Sequence, residues 1–188
     1  MGALLKTDHL FTYADYKDWE LAEGERYELI YGEAFAMSAP NERHQLVLME
    51  LAAQFHVYLR GKPCKVFPAP YDVRLYYSGD DNDDTVVQPD ITVVCDEKKR
   101  GNEGCRGAPD LVVEILSPSN SAVEMQRKLS LYQRAGVKEY WIVDGENKEL
   151  MVYHFGDKLG FFVYKSEDTV PVAVLPGLTV LLKQVFEV

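Results

Sequence analysis

The 188-residue chain has few cysteines and no long apolar run. Nothing in it approaches the ~20 consecutive apolar residues of a membrane span, and its start lacks the basic flank and apolar run of a signal peptide. We therefore expect a soluble cytoplasmic protein. Cys64, Cys95 and Cys105 cannot all pair and form no CxxC spacing, so we expect free thiols and neither a disulfide framework nor a zinc site.

An excess of positive charge is also missing. Lys and Arg number 20 against 30 Asp and Glu, which gives a net charge of −10. Phosphate binding normally shows as a basic excess or a basic face, so a general affinity for nucleic acid is not indicated. The segment 97–106 is locally basic, although such runs are usually solvated loops. A nucleic-acid contact would have to be narrow, through a segment such as this one or through a partner.

What the chain does have is apolar content, at 47% hydrophobic residues. This suffices for one sizeable core, so we predict a single domain over residues 1–188. The pattern predicts a hairpin, a helix, three strands, a helix and a strand, then a tight turn into the strand "LMVYHF", two more strands and a short terminal helix. This order indicates an α/β or α+β domain. The predicted segments are the hairpin in 26–40, the helix from Asn41 to Gly61, strands in 65–77, 86–94 and 110–116, of which the first is interrupted near Pro68 and Pro70, the helix from Ser119 or Asn120 to Gly136, and the strand 139–143.

One carboxylate stands out within this pattern. Glu114 lies in the middle of "DLVVEIL", a strand with no other polar side chain after its first residue, where an unpaired charge costs several kcal/mol. Asp90 lies in the preceding predicted strand. If the two strands pair antiparallel about Asn102, Asp90 and Glu114 are opposed, with Cβ atoms about 4.5–5.5 Å apart. Such carboxylates repel unless one is protonated or a cation lies between them, and Mg²⁺ is a suitable cation.

The motifs "YELIYGEAFAMSAP", "VVQPDITVV", "GAPDLVVEILSPS" and "GVKEYWIVD", in this order, resemble the Uma2 family of restriction-endonuclease-like proteins, in the PD-(D/E)xK nuclease superfamily. The resemblance covers about residues 25–155 and implies an αβββαβ core with a mixed sheet. It further implies a Mg²⁺-dependent DNA endonuclease, in which Mn²⁺ can substitute and which acts as a homodimer. The PD motif is then Pro89–Asp90 and the second acid is Glu114. Asp90, Glu114 and the main-chain carbonyl of Ile115 are the expected metal ligands.

The match departs from the superfamily at one position. Two residues after Glu114 the pattern has a lysine that orients the attacking water and offsets charge on the phosphate, whereas this chain has Leu116. Some members carry the lysine on the following helix, and the resemblance points to Lys128 as the third catalytic residue. By helical phase Lys128 lies at the edge of the apolar face and can reach toward the sheet. The alternative is an ordinary surface pair between Glu124 and Lys128.

Four further residues are candidates for supporting roles. Glu33 is either an additional metal-shell acid or a turn residue. His44 lies on the inward side of the first long helix, as a ligand or as a hydrogen-bonded core residue. Gln88 shares a strand face with Asp90 and could orient water or substrate. Tyr132 could position Lys128 or belong to the core.

Three motif-like strings are interpreted as structural. Pro109–Asp110 is a second PD, and Glu97-Lys98-Lys99 and Glu146-Asn147-Lys148 are literal ExK strings. Each falls at a strand edge or in a polar turn, where a carboxylate is solvated and cannot help to form a rigid metal site.

Two other classes of function remain open from the residues alone. Leu116 and the net charge favour a nuclease-like fold that binds or regulates without cleaving. Alternatively, the paired carboxylates could perform acid/base chemistry on another substrate, in which case one carboxyl would have a raised pKa and the site no metal affinity.

Overall fold

The computed structural model describes residues 9–20, 22, 25–117, 121–156 and 159–187. None of the helices in these ranges combines the length and apolarity that crossing a bilayer requires. The helices are α1 (Tyr13–Tyr16), α2 (Glu42–Leu59), α3 (Ala122–Ala135) and α4 (Leu182–Phe186). The strands are β1 (Tyr27–Ile30), β2 (Glu33–Ala36), β3 (Lys65–Pro68), β4 (Val73–Arg74), β5 (Val86–Val87), β6 (Ile91–Val94), β7 (Arg100–Gly101), β8 (Gly104–Arg106), β9 (Leu111–Ile115), β10 (Glu139–Asp144), β11 (Glu149–His154), β12 (Gly160–Lys165), β13 (Thr169–Pro171) and β14 (Thr179–Leu181).

The main sheet has the strand order β12-β11-β10-β9-β6-β3. Its only parallel pair within the described residues is β9 with β10, and the other neighbours are antiparallel. A parallel neighbour needs a crossover, which α3 supplies between β9 and β10. In chain order α2, β3, β6, β9, α3 and β10 form the predicted αβββαβ core with a mixed sheet, so the expected fold class is confirmed.

A second sheet, with the order β2-β1-β5-β4-β8-β7, carries the N-terminal hairpin. Two predicted strand segments are each divided between the sheets. We predicted the segment 65–77 with an interruption near Pro68 and Pro70, and the segment 86–94 as one unbroken strand. Residues 65–77 break after Pro68 into β3 and β4, and residues 86–94 break at Gln88–Asp90 into β5 and β6. Proline donates no ladder hydrogen bond, so Pro68, Pro70 and Pro89 favour these breaks. The chain thus passes from the small sheet to the main sheet directly before Asp90.

Helix α2 begins where the sequence predicts. The side chain of Asn41 accepts a hydrogen bond from the His44 backbone N–H at 2.8 Å, as an N-cap does. The apolar face of α2 packs in the core cluster on one side of the main sheet, together with side chains of β6 and β9. The buried residues of this face are Val47, Leu48, Leu51, Phe55 and Leu59.

Helix α3 packs in a second cluster with side chains of β10 such as Tyr140 and Ile142. It ends at Gly136, whose φ of 90° is a left-handed conformation that glycine adopts readily. Its N-cap is Ser121, whose side chain accepts from the Glu124 backbone N–H. The predicted caps, Ser119 and Asn120, lie outside the described residues.

Two further predictions were wrong. Cys64 and Cys95 form a disulfide, and only Cys105 is a free, buried thiol in the described part of the chain. The reason is register, because Lys65 pairs with Val94 across β3 and β6 and the flanking cysteines are therefore opposed. After β11 the chain forms three strands before α4, where we predicted two.

Candidate active site

The two acidic positions meet as the sequence predicts. Strands β6 and β9 pair antiparallel with Ile91 opposite Val113 and Thr92 opposite Val112. Continuing this register by one residue places Asp90, in the bend before β6, opposite Glu114 in β9. The intervening segment is more ordered than the polar loop we predicted, since it forms a 3₁₀ turn at Glu97–Lys99 and the β7-β8 hairpin.

Asp90 is held on both its main chain and its side chain. Its backbone carbonyl accepts from the Ala69 N–H at 3.0 Å. Its Oδ2 accepts from the Ile115 N–H at 2.7 Å and lies 3.1 Å from His44 Nε2. These contacts fix the carboxylate beside the strand that carries Glu114. His44 thus reaches the site from the first turn of α2, where it contacts Asp90.

Glu114 is compensated by two side chains from α3. Lys128 Nζ donates to Glu114 Oε1 at 2.9 Å, and the Tyr132 hydroxyl donates to the same oxygen at 2.6 Å. One helical turn separates Lys128 from Tyr132, so both project from one face of α3. The side chains of Lys128 and Glu114 are 9% and 14% exposed. Lys128 is therefore a buried component of the site, and the surface pair with Glu124 that we considered does not describe it.

A third carboxylate in the site was not found by sequence reasoning. Glu28 in β1 is buried and accepts from Lys128 Nζ at 3.0 Å and from the Gln88 backbone N–H at 3.1 Å, both at Oε1. The sequence does contain a signal for Glu28, namely a carboxylate within an apolar strand. Glu28 precedes Leu29 and Ile30 in β1, just as Glu114 follows Val112 and Val113 in β9. Glu33, the acid we had selected on this hairpin, is exposed and lies at the pocket edge.

The crowding of acids perturbs the ionisation of the site. Burial, together with the charges of Glu28 and Asp90, raises the pKa of Glu114 to about 7, although Lys128 and Tyr132 act in the opposite direction. Burial disfavours the charged form of Lys128, but Glu114 and Glu28 outweigh it and raise its pKa. Two carboxylates, Glu28 and Glu114, therefore share the Lys128 ammonium group, and Asp90 adds a third negative charge beside Glu114.

For His44, burial likewise disfavours the charged form. The hydrogen bond and charge of Asp90, the charge of Glu114 and the Ile115 carbonyl outweigh that effect and raise the imidazole pKa. The main-chain carbonyl of Ile115 thus faces the same cluster of groups.

The acids line a pocket of about 370 Å³ between the β1-β2 hairpin, the start of α2 and α3. Two arginines, Arg26 and Arg127, also line it. The Arg127 guanidinium lies 4.2 Å from the centre of the Phe35 ring, which restricts its orientation. Among the described residues no carboxylate lies within ion-pair distance of either arginine. Both are therefore available to an anionic ligand in the pocket.

The remaining candidates lie elsewhere. The Gln88 side chain donates to Asp72 at 2.8 Å and lies outside the pocket lining, and our prediction that Gln88 and Asp90 share a strand was wrong. Leu116 packs with the apolar cluster beneath α3. Asp110 is buried and accepts from the Cys95 N–H and from Lys138, so its role is structural but the carboxylate is not solvated as we expected.

The donor set can be tested against the expected Mg²⁺. Within the described residues, Asp90 Oδ1 and Glu114 Oε2 have no hydrogen-bond partner, since all contacts go to Oδ2 and Oε1. With the Ile115 carbonyl they offer hard oxygen donors, and Mg²⁺ often uses only one or two carboxylates and takes water and phosphate for the rest. The same ranges contain no group of three or more His, Cys, Asp or Glu side chains placed to hold a metal. The site therefore fits Mg²⁺ and not a cation that needs a full cage of protein ligands.

Comparison with solved structures supports the fold. The chain is similar to a crystal structure described as "a putative nuclease belonging to DUF820" from Anabaena variabilis, with a TM-score of 0.72. The two are 20% identical, and the likeness covers 94% of this chain and 98% of that one. At this identity it is the fold that the two proteins share.

Sequence comparison identifies relatives and the family. Uncharacterized protein slr1290 of Synechocystis sp. is 28% identical over 157 residues, 82% of this chain and 80% of that protein. Uncharacterized protein sll1609 of the same organism is 22% identical over 144 residues, 75% and 78% of the two chains. Residues 13–183 match the family Uma2, "Putative restriction endonuclease". Since this match spans most of the chain, as the motifs around Asp90 and Glu114 led us to expect, the protein belongs to the Uma2 family.

Proposed function

We propose that the protein is a Mg²⁺-dependent endonuclease that hydrolyses phosphodiester bonds of DNA. The observation that carries this proposal is the buried ion pair between Lys128 and Glu114, at 2.9 Å. It supplies an ammonium group beside the second acid, which is what the superfamily pattern requires and Leu116 does not provide. The family match and the nuclease-like fold support the same conclusion.

Each residue of the pocket would then have a separate task. Asp90, Glu114 and the Ile115 carbonyl would hold the ion, which when bound supplies charge neutralisation at the phosphate and a more acidic water. Lys128 would orient the attacking water and offset negative charge that develops on the phosphate oxygens. Glu28 holds Lys128 from the other side. Arg127, oriented by Phe35, would contact a phosphate of the bound strand.

The acidic net charge of −10 limits how DNA could approach. We expected a contact through segment 97–106, but none of its residues lines the pocket. Within that segment Lys99 donates to the Ala108 carbonyl at 2.7 Å and thus helps to close the loop. The arginines of the pocket itself are better placed, which favours a narrow contact with the backbone of one strand over a broad basic face.

Cleavage of plasmid and single-stranded DNA in Mg²⁺, Mn²⁺ and EDTA tests the proposal. We expect cleavage that EDTA abolishes and that falls by about 10²- to 10³-fold in Asp90→Asn, Glu114→Gln and Lys128→Met. Glu146→Gln is the matched control, because Glu146 belongs to an ExK string in an exposed turn and should leave cleavage unchanged. Cleavage that survives Asp90→Asn would show a contaminating nuclease and overturn the proposal.

The two rival functions predict other results in the same assay. A binding or regulatory module would associate with DNA in a salt-sensitive manner without cutting it. An acid/base enzyme of another class would show no metal affinity by calorimetry. The raised pKa of Glu114 does not distinguish these cases, because burial and the neighbouring acids produce it in the metal-free protein under each of the three functions.

A further inference from the structure

The solvent-facing side of α2 carries an apolar stripe that is separate from the pocket. Leu46, Met49 and Val57 are 42%, 66% and 62% exposed, and Ala53 between them is also exposed. At about 100° per residue the four side chains fall within an arc of about 80° around the helix axis. None of the described residues covers this stripe. Its length and continuity are those of a helix-packing face rather than of scattered surface residues.

The two ends of the stripe carry opposite charges. Glu42, at the first residue of α2, and Arg60, directly after its last, are separated by about five helical turns and so project along the same line. Both are exposed, and neither has an ion-pair partner among the described residues. The stripe therefore has an acidic residue at one end, apolar residues along its length and a basic residue at the other end.

We propose that this stripe is a self-association surface that pairs α2 with α2 of a second copy of this chain in antiparallel orientation. A two-fold axis near the middle of the helix places Leu46 opposite Val57, Met49 opposite Ala53 and Glu42 opposite Arg60 of the second copy. The small Ala53 at the centre lets the two helices approach closely. Symmetry repeats every contact, so the pairing closes as a dimer with two Glu42–Arg60 ion pairs.

The charge pattern identifies the occupant as a second copy. A stripe that runs from acid to base is complementary to its own reversed copy and repels itself in the parallel orientation. A second exposed apolar group, Phe161 to Val163 on the edge strand β12, lacks this pattern, and its two phenylalanines already pack against Tyr153 and His154 of the same sheet. A single helix pair is smaller than a standard interface, so we expect a weak dimer that depends on concentration.

Sedimentation velocity of the full chain over a range of concentrations tests the pairing. We expect wild type to shift from monomer to dimer and Met49→Lys to remain monomeric at every concentration. Val163→Lys, which places the same charge on the exposed apolar strand, should dimerise as wild type does. A wild-type protein that stays monomeric, or a dimer lost in Val163→Lys but not in Met49→Lys, would overturn the proposal.

A charge swap tests the register. Glu42→Lys and Arg60→Glu should each weaken the dimer by about tenfold or more, because each turns two attractive pairs into two repulsive ones. The double variant restores both pairs in reversed order and should return the dissociation constant to within about threefold of wild type. Thermal unfolding of each variant at monomeric concentration shows whether its helix is intact. Failure of the double variant to recover association, with the fold intact, would exclude this antiparallel register.

Discussion

Two carboxylate–lysine pairs lie only four residues apart along the chain at strand β9, and they have different roles. Directly before β9, Asp110 pairs with Lys138, whose side chain is 61% exposed, while near the end of β9 Glu114 pairs with Lys128, whose side chain is 9% exposed. Asp110 also accepts the Cys95 N–H and so joins two strands. Glu114 instead shares its lysine with Glu28, faces Asp90 and opens on the pocket. A carboxylate–lysine pair is thus a structural clamp in one place and part of a site in the other, and the difference is the crowding of like charges around an accessible pocket.

Replacing Lys128 and Lys138 by methionine, one at a time, should show the largest difference between the two pairs. Lys128→Met leaves Glu28 and Glu114 buried without their cation, so we expect a loss of about 3–5 kcal/mol in the free energy of unfolding together with the loss of cleavage. Lys138→Met removes an exposed partner and should cost less than about 1 kcal/mol with cleavage retained. Urea unfolding followed by circular dichroism measures the first quantity. Equal losses in the two variants would contradict the distinction between clamp and site.

Replacing the two acids, Glu114 and Asp110, should have the opposite effect on stability to replacing the two lysines: the variant at the pocket should now be the more stable one. Since the pKa of Glu114 is raised to about 7 from 4.5, the folded protein holds this proton more tightly than the unfolded chain does. Stability contributed by the protonated form is therefore lost as the pH rises from about 4.5 through 7. Glu114→Gln cannot ionise and should be at least as stable as wild type at pH 8 in EDTA, although it cannot cleave. Asp110→Asn should be less stable and still active.

Thermal unfolding of these variants between pH 5 and pH 8 provides the measurement. The stability of wild type relative to Glu114→Gln should decrease across this range, whereas that of wild type relative to Asp110→Asn should not. A constant difference between wild type and Glu114→Gln would show that Glu114 is not destabilised by its neighbours, and the comparison with Asp110 would then lose its basis.

The sequence was sufficient for the parts of the site that depend on local periodicity. The register that opposes Asp90 to Glu114 follows from two strands placed symmetrically about Asn102, and the reach of Lys128 follows from helical phase. We did not predict Glu28 as a site residue, because its strand belongs to the second sheet and sequence periodicity does not reveal which distant strand packs over a site. We did not predict the Cys64–Cys95 disulfide for a similar reason, since it depends on the pairing of β3 with β6, which are separated in the chain by strands of the small sheet.

The smallest effect we predict concerns substrate binding at the edge of the site. Arg127 stacks on Phe35 and has no carboxylate partner in the described chain, so its guanidinium can donate to a phosphate without first breaking an ion pair. Arg127→Gln should raise the KM for DNA by about tenfold, with kcat changed less than about twofold, because the lost contact is the same in the ground state and the transition state. The salt dependence of binding to a labelled oligonucleotide should also become less steep. Arg134→Gln, exposed on the last turn of the same helix, is the matched control and should alter neither quantity. If Arg127→Gln lowered kcat and left KM unchanged, Arg127 would act with Lys128 in the chemical step. The Arg127–Phe35 pair, which contains no carboxylate, would then be part of the catalytic site.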